Sequence, residues 1–174
     1  RRVSGYAPAM LVGVFDAAGG FCGIHRTFLT GEGRKADHLP VPAKRTLGPV
    51  FGDGDPLRAG FVRLFDGDDP REAALAEGIE NAFVVRRDGG RPTYAALALG
   101  NMGVVLPDIV RDLILAFDAD EAMDKPVERA RIETRKAGFV ELHRSRGITV
   151  RPASPPVGFD FCDTARELAA AILK

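Results

Sequence analysis

The sequence has few cysteines, no net charge and no long apolar run, and each shortage excludes a class of protein. The only cysteines, Cys22 and Cys162, are far apart and without a CxxC spacing, which excludes a zinc ribbon and favours a reducing compartment. The 24 basic and 24 acidic residues cancel, so any nucleic-acid binding must rely on local patches. No signal peptide or membrane-length apolar run is visible. We therefore expect a cytoplasmic protein without a membrane partner.

Common nucleotide- and metal-binding motifs are missing as well. The glycine-rich segments match neither a Walker A loop nor GxGxxG, and GxSxG is absent. Two segments look like calcium loops, but 52–56 lacks Glu at the twelfth position and 66–69 has Arg71 at the sixth position, where Gly is needed. We interpret both as polar turns. His25, His38 and His143 show no metal-ligand spacing and are expected on the surface or in loops. Because the chain starts at Arg1 without Met, we expect a fragment of a longer protein.

Residues 1–70 have the pattern of antiparallel β structure. Apolar runs at Ala9 to Phe15 and Phe21 to Leu29 flank a glycine-rich turn, which predicts a hairpin. A short strand is predicted near Leu47 to Phe51, and alternation predicts another at Phe61 to Phe65. We expect this part to form a small antiparallel N-terminal subdomain.

From residue 72 onward, predicted strands alternate with predicted helices, which is typical of a parallel sheet covered by helices. The strands are predicted at Glu72 to Ala76, Thr93 to Leu99, Leu113 to Phe117 and Gly147 to Pro152. The helices are predicted at Ile79 to Arg87, from about Ala122 onward, and in the terminal segment DTARELAAAILK, with Asp163 or Thr164 as N-cap.

The long helix after Ala122 is predicted to bury one apolar face. Residues on that face recur at steps of three or four: Val127, Ala130, Thr134, Ala137 and Val140. Gly138 is expected to bend or break the helix.

Acidic side chains follow three of the predicted parallel strands. Glu77 follows the first, Asp118 and Asp120 follow the strand that ends at Phe117, and Asp160 and Asp163 follow the last. Ligands of such sheets bind beyond the carboxyl ends of the strands, and residues two apart in an extended segment point the same way. Since Mg²⁺ binds a few carboxylates and substrate phosphates, the pattern predicts a divalent-metal site.

A simpler interpretation of the same acids stays open. Asp118 or Asp120 could cap the helix that follows, and this explains a DxD after a strand without any metal. The three acidic segments together, each at a strand end, favour the metal site. Gly78, directly after Glu77, would let backbone or phosphate approach closely.

The segments LAEGIENAF, AALALGN, LILAFDADEA and GFDFCD resemble the Toprim domain, the catalytic fold of bacterial-type primases, type IA and type II topoisomerases and some nucleases. In sequence, these segments are most similar to the Toprim domains of primases and primase-helicases from phages and mobile elements. The upstream segments AMLVGVFDAAGGFCGIHRTFL and AKRTLGPV resemble the part that precedes Toprim in such proteins. The resemblance therefore covers nearly the whole chain and implies a Toprim-like α/β fold over residues 71–174, with helices on both faces of a parallel sheet.

The resemblance also implies roles for individual residues. Glu77 would be the general acid/base or a metal partner. Asp118, Asp120 and Asp160 would hold Mg²⁺ or Mn²⁺, with Asp163 as a further candidate of the last acidic motif. Met123 stands where the family usually has Gly, and Asp160 and Asp163 are spaced by three residues rather than two. The residues expected to contact nucleic acid or nucleotide are Arg26, Lys35, Lys44, Arg45, Gly78 and Asn101, with His25 and Arg34 as further candidates of the basic N-terminal half.

The implied activity is primer synthesis on single-stranded DNA from nucleoside triphosphates by metal-dependent nucleotidyl transfer, with a helicase module or partner. One alternative is a nuclease or topoisomerase-like cleavage module. Topoisomerases need a tyrosine nucleophile, and the chain offers only Tyr6 and Tyr94. The other alternative is a non-catalytic nucleic-acid interaction module.

Overall fold

The structure, a computed structural model, describes residues 6–52, 58–67, 69–119, 125–156, 161, 164 and 165. The strands are β1 (Ala9–Phe15), β2 (Phe21–Phe28), β3 (Lys44–Leu47), β4 (Val62–Phe65), β5 (Glu72–Ala76), β6 (Thr93–Ala95), β7 (Asp112–Ala116) and β8 (Thr149–Ala153). The helices are α1 (Ile79–Gly89), α2 (Pro126–Ser145) and a short 3-10 turn at Leu99–Asn101.

The N-terminal strands form an antiparallel three-stranded sheet in the order β1-β2-β3. The predicted hairpin is confirmed, but the third strand ends at Leu47, where the predicted strand near Leu47 to Phe51 begins. The reason is local. Gly48 adopts a φ of 100°, and Pro49 has no N–H to donate, so the pairing cannot continue.

The second sheet has five strands in the order β4-β6-β5-β7-β8. Strands β6, β5, β7 and β8 run parallel, and β4 is antiparallel to β6. Although β4 precedes residue 70, it belongs to this sheet; a domain boundary at residue 70 stays a prediction. Two backbone hydrogen bonds join the sheets, from Phe15 N to Phe61 O at 3.0 Å and from Phe61 N to Phe15 O at 2.9 Å.

Helices cover both faces of the five-stranded sheet, which confirms the predicted α/β class. On one face Leu75, Leu113 and Leu115 pack with Val140 of α2. On the other face the strands present small residues to Ile79 and Ala82 of α1, namely Ala76, Ala95 and Ala116. Because these alanines occupy little volume, α1 lies close to the sheet and brings its first turn to the ends of β5 and β7.

The predicted apolar face of α2 is wrong. Val127 is 78% exposed, and Ala130, Thr134 and Ala137 are also exposed. The helix instead buries Lys136, Val140 and His143. The two stripes share Val140, and the true one contains a lysine and a histidine, which hydrophobic periodicity cannot recognise.

Three smaller predictions are also wrong. Helix α2 continues through Gly138 without a break. Strand β6 ends at Ala95, well before Leu99, because Leu97 adopts a φ of 73° that ends the extended segment. His25 and His143 are buried, while His38 is exposed as predicted.

Most of the predicted terminal helix, including its candidate N-cap Asp163, lies outside the described residues. Among the residues that are described, no helix is both long enough and apolar enough to cross a membrane.

Candidate functional site

The carboxyl ends of β5 and β7 lie side by side. Ala76 pairs with Ala116 in parallel register, and the N–H of Glu77 donates to the carbonyl of Ala116 at 3.3 Å. Glu77 and Asp118, which are 41 positions apart in the chain, therefore follow adjacent strands at one edge of the sheet. This placement is the one that the alternation of strands and helices predicted.

The first turn of α1 reaches this edge. The amide nitrogen Nδ2 of Asn81 donates to Oδ1 of Asp118 at 2.5 Å, and Asn81 is only 4% exposed. Its own Oδ1 is buried and has no hydrogen-bond partner among the described residues. The carboxylate of Asp118 thus lies beside a buried amide oxygen that can still accept a hydrogen bond.

Helix α2 fixes the backbone of the same segment. Lys136 is 7% exposed, and its Nζ donates to the backbone carbonyl of Asp118. The ammonium also lies 3.4 Å from Glu133 and 5.8 Å from the ring of Phe117. Sequence analysis missed Lys136, but its spacing of four from Val140 and seven from His143 places it on the buried stripe.

Capping does not explain Asp118. Helix α2 starts at Pro126 with Lys125 at the N-cap position and no side-chain cap, whereas Asp118 accepts from Asn81. Gly78 is the N-cap of α1, also without a side-chain cap. A Cβ added at Gly78 would meet Glu80 Oε2 at 3.4 Å, an ordinary contact distance, so packing alone does not require glycine here.

A cavity of about 590 Å³ opens between the N-terminal sheet and the five-stranded sheet. Both halves of the chain contribute residues to its wall: Met10, Thr27, Leu29, Gly33, Arg34, Lys35, Lys44, Gly78, Glu80, Asn81 and Asp118. One side is basic, and the other holds the acidic end of β7. Among the predicted site residues, Lys35, Lys44, Gly78 and Asp118 line this one cavity, together with Glu80 and Asn81, which the sequence analysis missed. Their binding of nucleotide or metal stays a prediction.

An ion pair crosses this cavity. Lys44 Nζ lies 2.8 Å from Glu80 Oε1, and both side chains are a little over two-fifths exposed. Burial alone would raise the pKa of Glu80, but the hydrogen bond from Lys44, a backbone hydrogen bond and the charges of Lys44 and His25 together lower that pKa. Glu80 is therefore held as a carboxylate, and it forms an ion pair with the Lys44 ammonium.

His25 lies near this ion pair, on the face of β2 that packs toward the second sheet. Its Nε2 lies 3.2 Å from Thr27 Oγ1. Burial is the main cause that lowers the pKa of His25, and Lys44 and Arg26 lower it further against the opposing charge of Glu80. The burial of His25 and the lowered pKa of its imidazole both disfavour a role as a phosphate-binding cation.

Arg26 and Arg45 do not line the cavity. Side chains alternate along a strand, and the neighbours of these arginines, His25, Thr27 and Lys44, face inward. Arg26 and Arg45 are directly opposite each other in the β2–β3 register, so both lie on the outer face of the N-terminal sheet. Their predicted role in nucleic-acid binding concerns a different surface from that of Lys44.

Asn101 has a structural task in this fold. It is 6% exposed, and its Nδ2 donates to the carbonyls of Gly60 and Ala96, both at 2.8 Å. The amide thus joins the segment before β4 to the segment after β6. These two bonds use both amide hydrogens, and the predicted contact of Asn101 with nucleotide stays a prediction.

Part of the predicted site lies outside the described residues, namely Asp120, Asp160, Asp163 and Met123. Within the described ranges, no group of three or more His, Cys, Asp or Glu side chains is arranged to hold a metal ion. The oxygen atoms that are described fit Mg²⁺ or Mn²⁺. The carboxylate of Asp118 can bind a hard cation, and the buried Asn81 Oδ1 can accept from a cation-bound water.

Comparison with known proteins connects this geometry to a family. Residues 72–171 match a family model described as the Toprim domain, and residues 1–56 match one described as a domain of unknown function, DUF7146. A comparison with curated protein sequences found no match.

Solved structures of primases share the fold. The Aquifex aeolicus primase (zinc-binding and RNA polymerase domains) aligns with a TM-score of 0.59 at 18% identity over 94% of this chain and 38% of that one. A DNA primase domain from Pseudomonas aeruginosa gives 0.56 at 18% identity over 95% and 50%. The DnaG catalytic core gives 0.58 at 16% identity over 91% and 48%.

The chain thus spans half or less of the length of these primase structures. At such identities the likeness establishes the fold. The family model covers more than half of the chain, and the acidic edge of β5 and β7 lies within the matched residues. The chain belongs to the Toprim domain family.

Proposed function

We propose that the chain is the catalytic core of a DNA primase, which joins nucleotides on a single-stranded DNA template by metal-dependent nucleotidyl transfer. The observation that carries the proposal is the cavity that places Arg34, Lys35 and Lys44 opposite Asp118. A nucleoside triphosphate needs both partners, since its phosphates bind cationic side chains and the cation that shares them binds carboxylates. The shared fold of the primase structures supports the same activity.

Within this proposal each residue has a task. Asp118, with Asp120 and Asp160 from the predicted motif, holds Mg²⁺ or Mn²⁺, and Glu77 is the general acid/base. A bound divalent cation would stabilise the charge that develops on the phosphates during in-line displacement. Asn81 orients the Asp118 carboxylate, and Lys136 fixes its backbone.

Lys44 binds phosphate in this proposal, although its ammonium is already paired with Glu80. An incoming triphosphate carries more negative charge than Glu80 and competes for Lys44. Glu80 therefore keeps Lys44 directed into the cavity before nucleotide arrives. A helicase partner and an origin in a phage or mobile element stay predictions from the sequence resemblance.

The direct test is primer synthesis on single-stranded DNA with nucleoside triphosphates and Mg²⁺ or Mn²⁺, carried out with the natural full-length protein. Asp118→Asn and Glu77→Gln should each lower the rate by at least about 100-fold, because they remove groups that act at the reacting phosphate. Asp112→Asn is the matched control, since Asp112 lies at the amino end of the same strand β7. Wild-type rates for Asp118→Asn would refute the site.

A topoisomerase-like cleavage reaction is the second candidate, and Tyr94 argues against it. Tyr94 is 3% exposed and packs edge-on against Phe61 with ring centroids 4.9 Å apart. Burial raises the pKa of Tyr94, which disfavours the phenolate. Tyr6 is 97% exposed and is the remaining candidate nucleophile. Relaxation of supercoiled DNA that is lost in Tyr6→Phe would favour this candidate over a primase.

A further inference from the structure

The outer face of the N-terminal sheet carries large apolar side chains and two arginines. Val14, His25 and Thr27 are buried toward the second sheet, so the alternating positions of β1, β2 and β3 point away from it. Phe21 is an exception to the alternation of β2, because the register shifts at Val14/Phe15 and pairs Phe21 with Phe15 on the outer side. We call this set the outer face; it consists of Leu11, Gly13, Phe15, Phe21, Ile24, Arg26, Phe28, Arg45 and Leu47.

The apolar part of the outer face is open to solvent. Leu11 is 64% exposed, Phe21 63%, Leu47 46% and Phe15 38%. The rings of Phe15 and Phe21 meet edge to face with centroids 5.7 Å apart. A Cβ added at Gly13 would lie 2.7 Å from Phe15 Cε2, which shows that the Phe15 ring lies across that glycine. A sheet face with this much exposed apolar surface is typical of a binding surface.

The charged part of the outer face has one sign. Arg26 and Arg45 are directly opposite in the β2–β3 register, where like charges destabilise a sheet. The Arg26 guanidinium lies 3.7 Å from the centroid of the Phe28 ring and donates to the Pro42 carbonyl at 3.1 Å. In the described part of the chain neither arginine forms an ion pair with a carboxylate, and the outer face itself contains no acid. The arrangement favours an anionic ligand.

We propose that the outer face binds single-stranded nucleic acid, with phosphates on Arg26 and Arg45 and bases stacked against Phe15 and Phe21. Exposed aromatic rings beside cationic side chains are the combination that single strands require, because every base has a face that can stack. The inference rests on the proposed primase function, for which this surface would guide the template. It separates the template surface from the nucleotide cavity, which the sequence analysis treated as one basic region.

Strand β3 links the two surfaces. Lys44 and Arg45 are consecutive, and Lys44 reaches Glu80 in the cavity while Arg45 lies on the outer face. Strand β3 is also the last strand of its sheet, with no further strand beside it among the described residues. A single strand bound to the outer face could therefore pass over this edge to the cavity.

The test is binding of a fluorescently labelled oligothymidylate to this chain, measured by anisotropy in EDTA without nucleotide at several salt concentrations. Each arginine that contacts a phosphate contributes about 0.7 to the slope of log affinity against log salt for a single strand. Arg26→Gln combined with Arg45→Gln should therefore lower the slope by about 1.4. Arg151→Gln, on an exposed position of β8, is the matched control and should keep the slope.

A second variant tests stacking separately from charge. Phe21→Ala should weaken binding by about 10-fold with an unchanged salt slope, because one stacking platform is lost. Phe83→Ala, at a similarly exposed phenylalanine on α1, should bind like the wild type. Circular dichroism and thermal melting of each variant would establish that the fold is intact.

Other outcomes would overturn the proposal. It is wrong if the wild type does not bind the oligonucleotide at low salt, or if the arginine pair keeps the wild-type slope and affinity. It is also wrong if Phe21→Ala instead converts a dimer to a monomer in light scattering, since the face would then bind a second copy. The binding assay contains no divalent metal and no nucleoside triphosphate. Its result is therefore independent of the catalytic test with Asp118→Asn.

Discussion

At the scale of single residues, Asn81 is the hydrogen-bond partner that orients Asp118, the described carboxylate of the proposed metal site. Residues that hydrogen-bond to a metal ligand typically change metal affinity by 10- to 100-fold when they are removed. Asn81→Ala removes the donor to Asp118 Oδ1, so the Mn²⁺ concentration at the midpoint of thermal stabilisation should rise by at least about 10-fold. Melting in EDTA supplies the baseline, and Asp112→Asn should keep the wild-type midpoint. If the Mn²⁺ midpoint of Asn81→Ala equals that of the wild type, Asn81 does not contribute to metal binding.

Asn101 provides a contrast at the same scale, because its contacts are structural. Asn101→Ala leaves the buried carbonyls of Gly60 and Ala96 without their donor, and we expect a loss of about 2 kcal/mol in the free energy of unfolding. Urea denaturation measures this loss. Asn101→Asp should lose at least as much, since a carboxylate cannot donate. A fully stable Asn101→Ala that has lost nucleotide affinity would instead support the predicted role in binding.

At the scale of elements, the continuity of helix α2 through Gly138 can be tested by substitution. Gly138 is exposed in the middle of the helix, and a Cβ added there meets nothing within 4 Å. Gly costs about 1 kcal/mol relative to Ala in a helix interior, so Gly138→Ala should raise the free energy of unfolding by about 0.5–1 kcal/mol. Chemical denaturation would detect the gain. A destabilised variant would mean that the helix bends at this position after all.

Strands were easier to predict from sequence than the faces of the long helix. Strands β1, β5 and β7 match their predicted bounds within one residue because each is a continuous apolar run that a turn or polar residue ends. The buried stripe of α2 was missed because Lys136 and His143 are polar. Each is buried with a backbone partner, the carbonyls of Asp118 and Met102. Such long-range partners leave no local pattern in the chain.

The sequence predicted where the acidic residues of the candidate site lie, but not which face of β3 each basic residue occupies. Glu77 and Asp118 follow parallel strands, so topology alone places them at one edge. The separation of Lys44 from Arg45 was not predictable without the register of β3, since a shift of one residue exchanges the two faces. Asn81 was missed because an asparagine in the first turn of a helix is common for other reasons.

At the scale of the whole molecule, two buried histidines make stability depend on pH. Burial is the main cause that lowers the pKa of both His25 and His143 below the ordinary 6.5; nearby cations lower both further, and the hydrogen bond to Met102 opposes the shift at His143. In the pH range between each lowered pKa and 6.5, the unfolded chain therefore binds more protons at these histidines than the folded chain does. Their contribution to stability is complete above pH 6.5 and is lost as the pH falls through that window.

The prediction is a free energy of unfolding that decreases between pH 7 and pH 5, measured by urea denaturation at constant salt. His25→Gln should flatten this dependence, and the double variant with His143→Gln should flatten it further. His38→Gln, at an exposed histidine, should follow the wild-type curve. If His25→Gln and the double variant both keep the full wild-type dependence, other groups cause it.

The close approach of β2 and β3 has a consequence for how the two proposed surfaces can change. Gly23 has a φ of 155°, and a Cβ there would lie 2.1 Å from the carbonyl oxygen of Leu47, so no other residue fits while β3 keeps its position. With β3 held close to β2, their register keeps positions 44 and 45 on opposite faces of the sheet. The charge at position 44 can therefore be altered without changing the surface that contains position 45. Engineering could therefore tune nucleotide affinity and template affinity independently, through two neighbouring codons.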